Sequence, residues 1–530
     1  MITPEQFQKI GETLLPLLDG LTEWIARDMI ERFMIRFGRG EEKLLTGTDE
    51  WQAWVLEQAD GNLDEIQKAL AKSTGKSQQE IAKIFKESGI QAAKADAEAA
   101  AVTFSGLSSG MIAIITDAYE RTVGEISNIT RTTAGATNQA FIDICDAAYW
   151  KVRTSAQSYT AAMLEGVKAL GQVQPIVRYP SGHKDTLEVA VLRCIRTGVA
   201  QSSGNMTIQQ CKDMGWNHVL VSQHLGARVS DTDPIADHAG WQGKVYCIAG
   251  KDAQFDNLLD ATGYPENPLG LCGYNCRHSF TPFLPGVSQN HNKPIDTEAN
   301  RRAYELSQTQ RAMERRIRAQ KRKCTALHTA VKSCEDTAGK AKLQEKYAQS
   351  AKRLQDQNAA YTKFCDDNDL KPYHERLAVA GWDRSAASTA SAAVREQKRV
   401  DKMIADFNAE HVAKDPAELL PKYEYAHGVK EKLLNYSLNM KEGASGRDKA
   451  VVFQAALGYN ANNYELLMQE IMAGIGRYKA SGKTTTEHGE KFTVRMLVKG
   501  ANGRYVPIRT GWIIAPEDRT PRMTTAFVDR

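Results

Sequence analysis

The strongest constraint on the fold is an apolar stripe near the start of the chain. Phe7, Ile10, Leu14, Leu18, Leu21, Ile25, Met29 and Phe33 recur at intervals of three and four, which sets them on one face of a helix. A helix of that kind must bury the face against other helices. Thr3-Pro4-Glu5-Gln6 has the form of a capping box with proline at the first helical position, and Pro16 is expected to kink the helix. An alanine-rich run (Gln91 to Val102) and a pattern with few breakers (Met111 to Leu170) continue the helical reading. Residues 1–177 are therefore expected to form an elongated helical region.

The texture then changes. Residues 178–293 read as a compact α+β unit: two helices ending at Gly215, then strands in "WNHVLVSQH" and "GKVYCIAG". Residues 294–382 are helical and basic, with 15 Lys or Arg against 5 Asp or Glu between Arg301 and Arg353. Arg311, Arg315, Arg318 and Arg322 fall along one helical face, a candidate contact for nucleic acid or an acidic partner. Such a stripe is equally the mark of an ordinary solvated face. Small polar residues make 383–420 a linker candidate. In residues 421–530 two amphipathic helices precede three or four antiparallel strands, with Asn502-Gly503 as a hairpin turn. The expected fold class is multidomain and mainly α, with two α+β units.

Length and charge narrow the functional classes. At 530 residues the chain exceeds one ordinary core, and a net charge of +4 assigns any nucleic-acid affinity to local patches. The N-terminus lacks the pattern of a secretion signal, and no apolar run approaches the roughly 20 residues of a membrane span. Nine scattered cysteines read as free thiols in a reducing compartment, so synthesis in a host cytoplasm is expected.

"GLCGYNCRHSFTPFLPG", Gly270 to Gly286, poses the main chemical question. Cys272 and Cys276, with Cys247, His278 or His238, are of the ligand types for tetrahedral zinc, but the pair is separated by three residues and no second knuckle exists. A redox pair lacks the CxxC arrangement, and a catalytic cysteine would need His278 or His238 as its base. A tight buried corner held by Asn275, Arg277 and His278 is the favoured reading. No metal and no cofactor are expected.

"LVSQHLGARVSDTDPIADHAGWQGKVYCIAG", "TGYPENPLGLCGYNCRHSFTPFLPG" and "RRAYELSQTQRAMERRIRAQKRK" resemble the phage minor capsid protein 2 family, which is related to Mu-type (MuF-like) head morphogenesis proteins. The motifs are Gly226-Ala227-Arg228, His238, Trp241 through Gly243 to Tyr246, Gly263-Tyr264, Gly270-Leu271, Asn275 to His278, and Pro285-Gly286. Trp51 and Trp54 fit as well, and the resemblance runs from residue 1 to about 370. An acidic insertion, "SDTDPIAD", departs from the pattern before His238. The resemblance implies a structural protein of a tailed-phage head, associated with the portal protein and other head proteins inside the head, beside packaged DNA. It implies no enzymatic activity for this part.

The last hundred residues show a looser resemblance to the toxin-like barnase, colicin and RelE-like (BECR) nuclease superfamily, carried by Lys432, Leu433, Tyr436, Lys449, Gly458, Trp512 and Thr524-Thr525. Metal-free RNA cleavage needs a base, an acid and cations, for which Lys432, Lys449, Arg504, Arg509, Thr525 and His488 are the candidates. Ordinary surface cations would look the same. Besides a structural head protein, the sequence thus leaves open a phage-delivered polymorphic toxin with a ribonuclease tail, and a zinc-stabilised binding module.

Overall fold

The computed structural model describes residues 3–45, 47–173, 175–179 and 182–529. Thr3 closes the expected capping box with Gln6. Pro16 does not kink a continuous helix; it sits in the first turn of a new one, α1 (Leu15–Phe37), where its missing N–H costs nothing. The long helices α2 (Thr48–Ala99) and α3 (Ser109–Arg153), with α4 (Tyr159–Leu170), bury the opening stripe. Trp51 anchors this layer. Its ring stacks on Tyr149 at 4.3 Å, and its Nε1 donates to Asp146 Oδ1 at 2.8 Å.

Where two helices were expected before Gly215, one helix of 27 residues forms, α5 (Leu187–Asp213). Ser202, Ser203 and Gly204 are buried within it, and a Cβ on Gly204 would meet the Tyr264 hydroxyl at 2.7 Å, so close packing rather than a break explains the small residues. β1 (His218–Val221), β2 (Val245–Cys247) and β3 (Phe280–Pro282) make a small antiparallel sheet in the order β2-β1-β3. The basic helices α6 (Thr297–Ser333) and α7 (Thr337–Asp367) then pack back on the N-terminal helices. One continuous core, from Phe7 to Val394, unites the helices and the small sheet.

The linker expectation fails for most of its length, because Arg384–His411 is a helix, α8. Asp383 caps it by accepting from Ala386 N at 2.8 Å, and most of its small residues are alanines, which have high helix propensity. A second core runs from Leu420 to Ala526. It lies between α9 (Arg447–Leu457), α10 (Tyr464–Ile475) and the antiparallel meander β4 (Ala480–Thr486), β5 (Gly489–Lys499), β6 (Tyr505–Ile514) and β7 (Pro521–Val528). Gly458, at φ 72°, ends α9 as its sequence suggests. Lys499 Nζ bonds Glu345 Oε2 at 2.9 Å, tying this unit to α7.

Candidate functional site

Three groups of side chains carry chemistry: the central corner, an arginine-lined cavity beneath it, and a lysine cluster in the C-terminal unit. The corner is built from backbone outward. A Cβ on Gly270 would collide with the Thr262 carbonyl oxygen, and one on Gly273 with the Pro268 carbonyl oxygen. Cys272 and Asn275 both adopt left-handed backbone, at φ 59° and 58°. Asn275 thus serves through its backbone, a residue type that tolerates this conformation. Arg228 clamps the loop by donating to the Leu269 and Tyr274 carbonyls at 3.1 and 2.6 Å, and Arg277 donates to Gly226 O at 3.1 Å. Trp241 Nε1 donates to Ile235 O at 3.0 Å, and Gly243, at φ 73°, turns the chain into β2.

Asn300, which the motif reading passed over, closes the corner from α6. Its Oδ1 accepts from Gly226 N and Ala227 N at 2.9 and 3.0 Å, and its Nδ2 donates to Ala227 O at 3.0 Å. It is 1% exposed. The one signal in the sequence was an amide in the first turn of a long helix.

His224, His238 and His278 converge in this corner. The His224 and His278 rings stack at 4.4 Å, and His238 meets His278 edge-on at 5.4 Å. Burial pushes the His224 and His238 imidazoles down to about 4 and His278 well below its ordinary value, with Arg277 adding repulsion at each. Burial also lifts the Cys272 and Cys276 thiols. A neutral thiol beside a neutral imidazole is the reverse of an activated cysteine–histidine pair, so the catalytic-cysteine reading finds no support in the geometry. The cysteine ligand set considered for zinc does not assemble. Cys247 Sγ points to Gly250 O at 3.7 Å and Cys272 Sγ to His278 O at 3.8 Å. The donor atoms that do gather belong to His238, Cys276 and His278.

Below the corner lies a cavity of about 700 Å³ between α1, α5, α6 and residues 375–380. Its wall includes Arg277, Arg311, Arg315 and Arg318, together with the carboxylates of Asp19, Glu188, Glu314 and Glu375. Of the expected arginine stripe, Arg311, Arg315 and Arg318 line this space and Arg322 does not. Arg322 is buried and pairs with Asp19 at 2.6 Å; Arg318 pairs with Glu188 at 2.6 Å. Arg311 is half-buried and Arg315 exposed. Among the described residues no carboxylate lies within ion-pair distance of Arg277, Arg311 or Arg315. Burial, and then repulsion from Arg311 and Arg376, holds the Arg277 guanidinium down to about 10.

In the C-terminal unit Lys449 Nζ donates to Thr525 Oγ1 at 2.8 Å, and the Lys432 and Lys449 ammoniums lie 4.4 and 4.5 Å from the centre of the Tyr436 ring. Arg509 shares the Thr525 face of the sheet but pairs with Asp529 at 3.1 Å. Arg504 and His488 do not join the group. Arg504 follows the Asn502-Gly503 turn, seven positions along the chain from Gly511, the register partner of Thr525. At ~3.3 Å per residue that is roughly 23 Å away. His488 occupies the β4–β5 turn beyond Ile514, at the other end of the sheet, where it is solvated beside Glu487.

The N-terminal helices, the small sheet with its clamped corner and the basic helical pair make up the part of the chain that known proteins recognise. Residues 2–366 match the family described as phage minor capsid protein 2. The chain belongs to that family, and so is a structural protein of a phage particle. A "Structural protein" of Lactococcus phage LL-H is 29% identical over 146 residues, 27% of this chain and 37% of that protein. A "Structural protein" of Lactococcus phage mv4 is 29% identical over 114 residues, 21% of this chain and 84% of that one. This chain thus spans little more than a third of the former relative's length. Residues 419–530 match a domain of unknown function, DUF6883. No solved structure matches the chain. No helix among the described residues is long and apolar enough to cross a membrane.

Proposed function

We propose that this structural protein works inside the head of a tailed phage, docked on the portal, with the arginine-lined cavity as its contact for an acidic segment of the portal protein. The observation that carries the reading is the set of guanidiniums on Arg277, Arg311 and Arg315, gathered without a carboxylate at ion-pair distance in a cavity open to a partner. Arg277 and Arg311 are half-buried without a direct ion pair, and an incoming carboxylate would supply one with bidentate hydrogen bonds. Copurification of the full chain with its cognate portal protein tests this. Arg315→Glu, an exposed change that leaves the fold intact, should weaken association at least ~10-fold, equivalent to about 1.4 kcal/mol. Undiminished association excludes the cavity as the contact. If portal binding is unchanged while retention on duplex DNA falls steeply with salt, packaged DNA is the partner instead.

A second reading concerns residues 421–530. The convergence of Lys432, Lys449, Tyr436 and Thr525 favours a site for a phosphodiester, and so an effector with metal-independent ribonuclease activity. Incubating the full chain with RNA in the presence of a chelator tests it; RNA left intact removes it.

A further inference from the structure

We infer that His238, Cys276 and His278 bind a zinc ion that pins the turn of helix His238–Trp241 to the loop entering β3. One donor atom from each lies within 4.8 Å of the other two, and all three residues are buried. Cys276 Sγ stands 3.6 Å from His278 Nδ1. Zinc bonds of about 2.3 Å to sulfur and about 2.05 Å to nitrogen, at a tetrahedral angle, place such a pair about 3.6 Å apart.

The hydrogen bonds fix the tautomers, and at His278 they leave free the nitrogen that faces Cys276. His238 Nε2 lies 2.8 Å from the Leu269 carbonyl oxygen, which can only accept, so Nε2 carries the proton and Nδ1 the lone pair. Gln242 Oε1 accepts from the His224 backbone N–H at 2.9 Å, which identifies it as the amide oxygen. His278 Nε2, 3.1 Å from the same oxygen, is therefore also the donor, and His278 Nδ1 faces Cys276. Ligating histidines commonly have their remote N–H held by a carbonyl in this way.

A dry corner closed by a thiol–imidazole hydrogen bond would account for Cys276 and His278 alone. It gives no reason for the third donor, nor for His224. Nδ1 of His224 contacts Leu225 O at 3.1 Å, and its Nε2 is buried without a hydrogen-bond partner among the described residues. A water held by that lone pair would supply the fourth position. On binding, the Cys276 thiol releases its proton to solvent, and two imidazoles with one thiolate make a donor set suited to zinc rather than to calcium or magnesium.

The test uses the purified full chain, loaded with zinc, freed of excess metal and analysed by mass spectrometry. About one zinc per chain is expected in the wild type and in Cys247→Ser, falling to a tenth or less in Cys276→Ser and His278→Ala. Cobalt titrated into wild-type protein should give a thiolate-to-metal charge-transfer band, a readout that needs no variant to fold. Gln242→Leu should weaken zinc ~10- to 100-fold while keeping all three ligands. Wild-type protein that holds well under half an equivalent of zinc and shows no cobalt band overturns the proposal. So does a band that survives in folded Cys276→Ser.

Discussion

Arg322 Nη2 donates to Asp19 Oδ1 at 2.6 Å, joining positions 303 apart in the sequence. The same Nη2 stands 3.5 Å from Glu188 Oε2, so one guanidinium on α6 holds carboxylates on α1 and α5. None of the three side chains is more than 12% exposed. Removing the arginine leaves Asp19 buried without its cation while Glu188 keeps Arg318, so Arg322→Ala should destabilise the protein by roughly 3 kcal/mol. Arg315→Ala, at an exposed position, should cost less than about 0.5 kcal/mol. Urea unfolding followed by circular dichroism measures both, and equal losses would contradict the assignment.

Asn300 should be almost as sensitive despite its neutrality. Three backbone groups of Gly226 and Ala227 depend on its amide. Asn300→Leu would bury them unsatisfied, at roughly 1–3 kcal/mol each, whereas Asn290→Leu, on the exposed loop, should lie within about 0.5 kcal/mol of wild type. The comparison is read from the same unfolding curves.

Asp96 gives the fold a defined pH dependence. Thr207 Oγ1 lies 2.6 Å from Asp96 Oδ2 and 3.2 Å from Ser203 O, and its one proton can serve only one of them. Burial raises the Asp96 carboxyl from its ordinary 3.8 to about 7, against a smaller opposing effect of the Thr207 hydrogen bond. A protonated Asp96 donates to Thr207 and completes the chain. The unfolded chain ionises this group near pH 4 and the folded one near 7, so stability should fall as pH rises between those values and level off above. Glu23, raised by burial to about 7 against the pull of Arg27, slopes the same way. Asp96→Asn should therefore flatten part of the decline in melting temperature between pH 4 and 7; an unchanged slope would show that Asp96 is ionised in the folded state.

If the C-terminal unit cleaves RNA, the loss of activity should follow the geometry. Lys449→Ala should lower the rate ~100-fold or more, as removal of one charge-stabilising donor does elsewhere. Arg504→Ala and His488→Ala, at the two ends of the sheet, should leave it unchanged. A gel assay on the full chain separates these outcomes, and a loss confined to His488→Ala would move the site to the β4–β5 turn.

Legibility in the sequence followed the range of the interactions. The cap at Thr3, the stop at Gly215 and the Asn502-Gly503 turn are local, and each formed where its residues place it; the N-terminal stripe is buried, but Phe7 lies on a short helix Pro4–Lys9 and Leu14 in a tight turn ahead of α1, not on one helix. The helical spacing of Arg311 to Arg322 was visible, but its direction depended on Asp19 and Glu188, which no local pattern ties to it. β4 gives little signal in the sequence because its residues are mostly exposed and polar; only backbone pairing with β5 holds it in the sheet. α8 was mistaken for a linker because alanine and serine suit both, and only Ala390 and Val394 are buried. The corner was recognised as buried, yet the adjacency of His238 to Cys276 and His278 arises from the fold and not from spacing.

Both the portal contact and the corner's scaffolding role require this chain to be built into a phage particle. Quantitative mass spectrometry of particles purified from the encoding phage tests it most directly. The chain is expected in intact, nuclease-treated particles at a fixed ratio to the portal protein. Particles complete in head, portal and DNA but lacking this chain would contradict it.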